Sequence, residues 1–173
     1  SSDGSLHNRL YSFATKVIYS DVVSNRGERK FQLGNMQLMK GFQFSNQSTI
    51  ENTLFKQPLI VDAADEVTVT IPAMIPATFL RTVVNTTHYR ISLIRASINF
   101  VEETYTSETA TSGELPISLE EQPELILTLP KAVAPDTHHF FALTSEYLQV
   151  LENGSKYDLY DLTQNPATIL VVS

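Results

Sequence analysis

The sequence has no cysteine and no tryptophan, and only six of its 173 residues are glycine. Without cysteine the chain has no disulfide bond, no thiolate metal ligand and no cysteine nucleophile. The glycines are too few to build a P-loop or a GxGxxG phosphate-binding loop. The lack of disulfides leaves the redox compartment open, because a domain of this size can be stable in either setting.

Basic residues are also scarce. The chain has 12 lysines and arginines against 19 acidic residues, which gives a formal net charge of −7. Nucleic-acid binding normally needs a basic surface that displaces counterions from phosphates, so we expect no nucleic-acid partner. Arg26, Arg29 and Lys30 could form a local basic patch, but Glu28 lies among them. A solvated turn is the simpler interpretation of this segment.

Long apolar runs are absent as well. No run approaches the roughly 20 residues that a membrane helix requires, so we expect no membrane insertion. No signal peptide is visible, but the chain begins at Ser1 without a methionine. We therefore expect a truncated N-terminus, which leaves a secreted or cell-surface location open.

The composition is nevertheless that of a folded domain. Hydrophobic residues make up 42% of the chain, with seven tyrosines and nine phenylalanines, and charged residues only 18%. A chain of this length buries about 70% of the surface that its unfolded form exposes. We expect two parts, an N-terminal helix with its connector over residues 1–35 and a β-sandwich domain over residues 36–173.

Residues 6–22 carry the one convincing helical period. Their apolar side chains recur at three- and four-residue steps: Leu6, Leu10, Phe13, Ala14, Val17, Ile18 and Val22. Ser5 is a suitable N-cap, and Gly27 and Gly34 interrupt the period in the connector that follows. This amphipathic helix either docks on the sheet that follows or serves a missing N-terminal segment or another subunit.

From residue 59 onward the apolar period becomes two. Leu59–Val61 and Val67–Ile71 flank a turn at Asp62–Asp65, which predicts a hairpin. Pro72 and Pro76 end it, since proline cannot donate to a strand ladder.

The strongest strand prediction covers Thr87–Phe100. Its apolar side chains occupy odd positions up to Leu93 and even positions from Ile94 onward. Side chains in a strand alternate strictly between two faces. The switch therefore indicates either a β-bulge or bend at Leu93–Ile94, or burial on both faces.

Five further strands are predicted at residues 115–119, 125–129, 139–151, 157–162 and 169–172. Asn153-Gly154 favours a two-residue type I′ turn that places Val150 opposite Tyr157. About seven strands in this spacing predict a two-sheet β-sandwich of immunoglobulin or fibronectin-III type. A true immunoglobulin domain is disfavoured because no Cys–Trp–Cys pattern exists.

Two segments bear on how the sheets end. Ser107–Gly113 is rich in threonine and short of large apolar residues, which suits an edge strand or a wet loop. Ile169–Val172 is apolar throughout, which indicates either an interior strand or an interface. Edge strands must be covered, charged or paired with another chain.

Candidates for catalysis and metal binding are few. The histidines are His7, His88, His138 and His139. None has the HxH, HxxxH or HExxH spacing of metal ligands, and His138 and His139 point to opposite faces of any strand. The pairs Glu102-Glu103 and Glu120-Glu121 lie in turn-like surroundings, where carboxylates are solvated. No GxSxG motif is present. We therefore expect no enzyme activity, no catalytic residue, no metal and no cofactor.

Tyrosines give the one hint of a ligand. Tyr147, Tyr157 and Tyr160 could form an exposed aromatic row that stacks on sugars, but packing within the sheet explains them as readily.

Several motifs resemble a family of uncharacterised Bacteroidetes proteins over most of the chain. They are Asp3–Leu10, Ser24–Arg29, Leu38–Phe44, Val67–Ala73 and Thr86–Ile91. Family members generally carry an additional N-terminal segment, in keeping with the missing methionine. The resemblance implies a bacterial origin and supplies no activity or site residue.

These observations favour a non-catalytic β-sandwich module that binds another protein or itself, as a subunit of a cell-surface or phage-like assembly. The alternative is a carbohydrate-binding module, for which a glycan is the ligand; a hydrolase ranks third. The sequence identifies no binding residues.

Overall fold

The structure is a computed structural model of the chain and describes residues 40–41, 50, 54, 56–99, 101–132, 134–159 and 167–173. These residues form two antiparallel β-sheets and one short helix, α1 (Pro76–Phe79), which confirms a mainly β fold. The nine strands are β1 (Leu59–Asp62), β2 (Glu66–Ile71), β3 (His88–Asn99), β4 (Thr104–Thr111), β5 (Leu115–Pro116), β6 (Leu125–Pro130), β7 (Thr137–Val150), β8 (Lys156–Asp158) and β9 (Ala167–Val172). The predicted helix over residues 6–22 lies outside the described residues.

The smaller sheet has three strands in the order β1-β2-β6. β1 and β2 form the hairpin predicted from the alternation, with Leu59 opposite Thr70. The odd-numbered side chains of β2 and β6 face inward, since strand side chains alternate between faces. These inward residues, none more than 4% exposed, are Val67, Val69, Ile71, Leu127 and Leu129.

The larger sheet is organised around β3 and β7, which pair without interruption from His88–Leu148 to Asn99–Thr137. β4 and β5 pair with the side of β3 that faces away from β7. β8 and β9 pair with the side of β7 that faces away from β3. Odd-numbered residues of β3 and β7 join the inward residues of the smaller sheet in one core. They include Tyr89, Ile91, Leu93, Phe141, Leu143 and Tyr147.

β3 is buried on both faces. Every residue from Ile91 to Ile98 is buried, and its pairings with β4 and β7 contain no irregularity. The switch at Leu93–Ile94 therefore reflects two-sided burial and not a bulge. The even face, with Ile94 and Ala96, lies on the side away from the smaller sheet.

The C-terminal strand β9 is also buried on both faces. Val171 pairs with Phe141 and Ile169 pairs with Ala142, because a β-bulge lies between Phe141 and Ala142. Neighbouring residues of β7 point to opposite faces, so the two apolar side chains do as well. Ile169 is 1% and Val171 4% exposed, which favours the interior strand over an open interface.

The connection between β7 and β8 differs from the predicted turn. The Leu151 N–H donates to the Ser155 carbonyl (2.9 Å), and the Gly154 N–H donates to the Leu151 carbonyl (2.9 Å). The loop is therefore the three residues Glu152–Gly154. Gly154 adopts a left-handed φ of +83°, as the glycine of a G1 bulge does.

The extra loop residue shifts the pairing by one. Val150 lies opposite Lys156, and Tyr157 lies opposite Gln149. Val150 and Tyr157 are thus on opposite faces, and the predicted pair is wrong. The physical reason is local: the Asn153 side-chain oxygen accepts a hydrogen bond from the Ser155 N–H (3.0 Å), which stabilises the longer loop.

One other predicted strand is shorter than the alternation indicates. β5 contains only Leu115 and Pro116, and Leu119 is 81% exposed, so the strand over residues 115–119 is wrong in its second half. Pro116 has no N–H for a longer ladder. β8 ends at Asp158, and residues 160–166 lie outside the described part of the chain.

Candidate interaction surface

β1 is exposed along its whole length although it is paired with β2. Leu59 is 62%, Ile60 39% and Val61 50% exposed. In the described residues β1 has a strand on one side only, so its other edge presents unpaired main-chain groups. A free edge of this kind is a template for pairing with another strand.

The outer face of the smaller sheet continues the apolar surface of β1. Residues opposite each other in antiparallel strands share a face, which groups two rows of side chains. The rows are Leu59, Thr70 and Ile126, and Val61, Thr68 and Thr128. Ile126 is 58% exposed, and the Thr68 and Thr128 hydroxyls hydrogen-bond each other at 3.0 Å. These six residues, which we call the outer face, carry no charge.

The acidic residue of β1 does not oppose strand pairing. Asp62 forms an ion pair with Lys131, and the lysine side chain is only 15% exposed. The Lys131 N–H also donates to the Asp65 carbonyl (2.8 Å), which holds the lysine beside the hairpin. A charged residue on an edge strand usually discourages association, but here the charge is balanced within the chain.

β4 forms a contrasting edge of the larger sheet. Its residues are exposed apart from the partly buried Ala110, as expected for Ser107–Gly113. Threonine, serine and glutamate dominate the strand, and Glu108 is bound by Arg95 at 2.9 Å. Of these two edges, β1 is apolar and β4 is polar.

A buried polar cluster joins β3, β7 and the segment after β6. The Ser97 hydroxyl lies 2.7 Å from His139 Nδ1, and His139 Nε2 contacts the Ala132 carbonyl. A carbonyl only accepts, so Nε2 carries the proton and Nδ1 accepts from Ser97. Ser97 and His139 are each 6% exposed. Nearby, Arg95 donates to the Pro130 carbonyl at 2.6 Å.

Sequence reasoning missed this contact, because Ser97 and His139 are 42 residues apart and no local motif marks them. A serine hydrogen-bonded to a histidine resembles a catalytic pair, but Ser97 faces the interior between the sheets. The cluster secures the β6–β7 connection to the larger sheet.

Burial lowers the pKa of His139, and the charges of Arg95 and Lys131 lower it further, while the Ala132 carbonyl opposes the shift. Burial also lowers the pKa of His138, aided by the charge of His139 and opposed by Asp136. The two histidines lie on opposite faces, as predicted, because they pair with Ser97 and Ile98. Neutral imidazole is therefore favoured at both positions.

An ion-pair network ties the opposite end of the larger sheet. Arg90 pairs with Glu146 and lies 3.9 Å from Asp158, which connects β3, β7 and β8. The hydrogen bond from Arg90 to Glu146 raises the pKa of the guanidinium. Lys156 contacts Glu114 at 2.7 Å, and that hydrogen bond lowers the pKa of the carboxyl. Each charge has an opposite partner, so the network is structural.

The remaining sequence candidates are scattered. His88 accepts or donates at Nδ1 to the Thr87 hydroxyl (2.8 Å), and His7 lies outside the described residues. Glu102-Glu103 and Glu120-Glu121 are exposed, the first pair in the β3–β4 turn. No group of three or more histidine and acidic side chains in the described part of the chain is placed to hold a metal ion.

The predicted tyrosine row is not formed by its described members. Tyr147 is 1% exposed in the core, where burial raises its pKa to about 12, whereas Tyr157 is 53% exposed. Tyr160 lies outside the described residues. A flat stacking platform for a sugar would need neighbouring exposed rings, and Tyr147 cannot supply one.

One cleft opens where the two sheets end, between Ile71, Met74, Tyr89 and Leu125. Its volume is about 110 Å³, and Ser112, Gln122 and Glu124 add polar groups to the wall. Small-molecule sites usually occupy about 300–1,000 Å³. The cleft is therefore too small for a substrate of ordinary size.

No protein-family model, curated protein or solved structure matches the chain. Among the described residues, no helix is long and apolar enough to cross a membrane.

Proposed function

We propose that the chain is a non-catalytic protein-interaction module of a larger assembly, which binds through β1 and the outer face. The observation that carries this proposal is the exposure of Leu59, Ile60 and Val61 on a strand with a free edge. Because these side chains are already about half buried, burying the rest of one against a partner contributes roughly half of the 1.5–3 kcal/mol that full burial gives, or about 1 kcal/mol. Main-chain pairing adds affinity without demanding a particular partner sequence.

The strand order supports a sandwich of fibronectin-III type as the scaffold. In such folds strands A, B and E share one sheet, and C, C′, F and G share the other. Here the first two strands and β6 form one sheet, while β4-β3-β7 with β8 and β9 form the other. β1 then takes the place of strand A, at the sheet edge.

We also propose that the predicted helix over residues 6–22 covers the even face of the larger sheet. The support is that Ile94, Ala96 and Phe140 on this face are at most 6% exposed, although the smaller sheet packs on the other face. The Gly41 N–H donates to the Ile169 carbonyl (2.8 Å), so residue 41 lies against the edge of this sheet.

A site-specific photo-crosslinker tests the proposed function. p-Benzoylphenylalanine is placed at Val61 in the full chain, and the matched control carries it at Thr106, which is exposed on the polar edge strand β4. Both proteins are irradiated in a lysate of the encoding organism. We expect a discrete protein adduct at Val61 only, abolished by excess unlabelled chain.

Equal adducts at both positions, or none at Val61, would overturn the proposal. A glycan array on the same protein covers the alternative. Selective glycan binding without a Val61 adduct would instead indicate a carbohydrate-binding module.

A further inference from the structure

The hydrogen-bonding direction of each β1 residue follows from the hairpin. The Ala63 N–H donates to the Glu66 carbonyl (3.0 Å), so these opposed residues are a hydrogen-bonded pair. Bonded and non-bonded pairs alternate along an antiparallel ladder. Val61 and Leu59 therefore bond to β2, and the N–H and C=O groups of Ile60 and Asp62 point to the free edge.

We propose that the protein partner of β1 is a second copy of the chain, paired antiparallel through the two β1 strands about a two-fold axis at Val61. This inference rests on the proposed function and names its partner. Ile60 of each copy faces Asp62 of the other, and each facing pair exchanges two main-chain hydrogen bonds. The two small sheets become one six-stranded sheet without a free β1 edge.

This arrangement brings uncharged side chains together at the axis and leaves no unbalanced charge in β1. Val61 meets its own copy on the outer face, with the uncharged rows of both molecules continuous beside it. Asp62 meets the partner strand already neutralised by Lys131.

The position of the axis is set by proline. An axis at Ile60 would place Pro58 opposite Asp62 of the other copy, and proline has no N–H to donate there. An axis at Val61 uses Ile60 and Asp62 alone for the four central bonds. It also makes Val61–Val61 a non-hydrogen-bonded pair, with Cα atoms about 4.5 Å apart.

The absence of cysteine allows this geometry to be tested with a single thiol. Val61→Cys places two sulfurs within disulfide range, whereas the matched control Leu59→Cys separates them by four strand positions, roughly 13 Å. Leu59 is the more exposed residue, so random collision favours the control. We expect mild oxidation to give a disulfide dimer for Val61→Cys and monomer for Leu59→Cys. Equal dimer for both, or dimer for Leu59→Cys only, overturns the proposal.

Ile60→Pro tests the non-covalent association in the full chain. It removes an N–H that points away from β2, so the hairpin keeps its own main-chain bonds and the chain should still fold. Two of the four bonds between copies lose their donor, so sedimentation should show at least about tenfold weaker dimerisation. Unchanged dimerisation, or a strictly monomeric parent protein, refutes self-pairing.

The two sets of results separate the proposals. If Val61→Cys stays monomeric while the Val61 photo-adduct contains a different protein, self-pairing is wrong and the interaction module stands. If neither a disulfide dimer nor a Val61 adduct forms, both are wrong.

Discussion

Ser97→Ala removes the hydroxyl that donates to His139 Nδ1 and leaves a buried ring nitrogen without that donor. An unsatisfied buried acceptor costs about 1–3 kcal/mol, and the lost volume is small because only one oxygen atom is removed. We expect the free energy of unfolding to fall by about 2 kcal/mol, as measured by urea denaturation followed by circular dichroism.

A double-mutant cycle separates this hydrogen bond from general damage. His139→Leu removes the acceptor together with the ring, and the exposed Ala132 carbonyl turns to water. Replacing both partners with apolar groups is less costly than orphaning one of them. Ser97→Ala in the His139→Leu background should therefore cost less than about 0.5 kcal/mol.

The same cluster predicts a pH dependence. The folded pKa of His139 lies below the unfolded value of about 6.5, so the unfolded chain takes up a proton first as pH falls. The stability that the neutral histidine contributes is fully present above the unfolded pKa of about 6.5. As the pH falls below that value, the free energy of unfolding decreases by at most about 1.4 kcal/mol per pH unit for each histidine. His138 acts in the same direction, so His139→Leu should reduce the slope and not abolish it.

A Ser97→Ala cost below about 0.5 kcal/mol near pH 7.5 would refute the buried hydrogen bond. An identical pH slope in the parent and His139→Leu would refute the perturbed histidine.

Three further predictions concern the scaffold. Leu93→Ala should lower the free energy of unfolding by about 3–4 kcal/mol in urea titrations, because Leu93 is fully buried; Leu119→Ala, at an 81% exposed position, should change it by less than about 0.5 kcal/mol. Gly154→Ala meets no neighbouring atom but must keep a φ of +83°, so differential scanning calorimetry should show a loss of about 1 kcal/mol; no loss would show that the loop rearranges. Phe13→Asp should lower the melting temperature far more than Thr15→Asp if the predicted helix covers the larger sheet, and equal effects would contradict that placement.

Short-range patterns predicted the elements whose neighbours in space are also neighbours in sequence. The hairpin of β1 and β2 is confirmed because Val67, Val69 and Ile71 alternate with polar residues and one turn separates the strands. The β7–β8 loop was wrong by one residue, since Asn-Gly serves both two-residue and three-residue loops. Nothing in the dipeptide itself shows that Asn153 binds the Ser155 N–H.

Long-range features could not be predicted from local patterns. The switch at Leu93–Ile94 was recognised, but periodicity does not show what lies on each face of β3. Ser97 and His139 meet only through the pairing of β3 with β7. The exposure of β1 was also hidden, because Leu-Ile-Val has the composition of an interior strand.

The pairing of β3 with β7 has a consequence for synthesis on the ribosome. β3 ends at Asn99 and its partner strand begins at Thr137, so roughly 40 residues must be added before pairing can start. At about 5–20 residues per second this takes ~2–8 s, during which Leu93 and Ile94 have β4 but not β7 beside them. Pairings so distant along the chain also fold slowly, on the millisecond-to-second scale. A newly made chain therefore exposes to chaperones a strand that the folded protein buries on both faces.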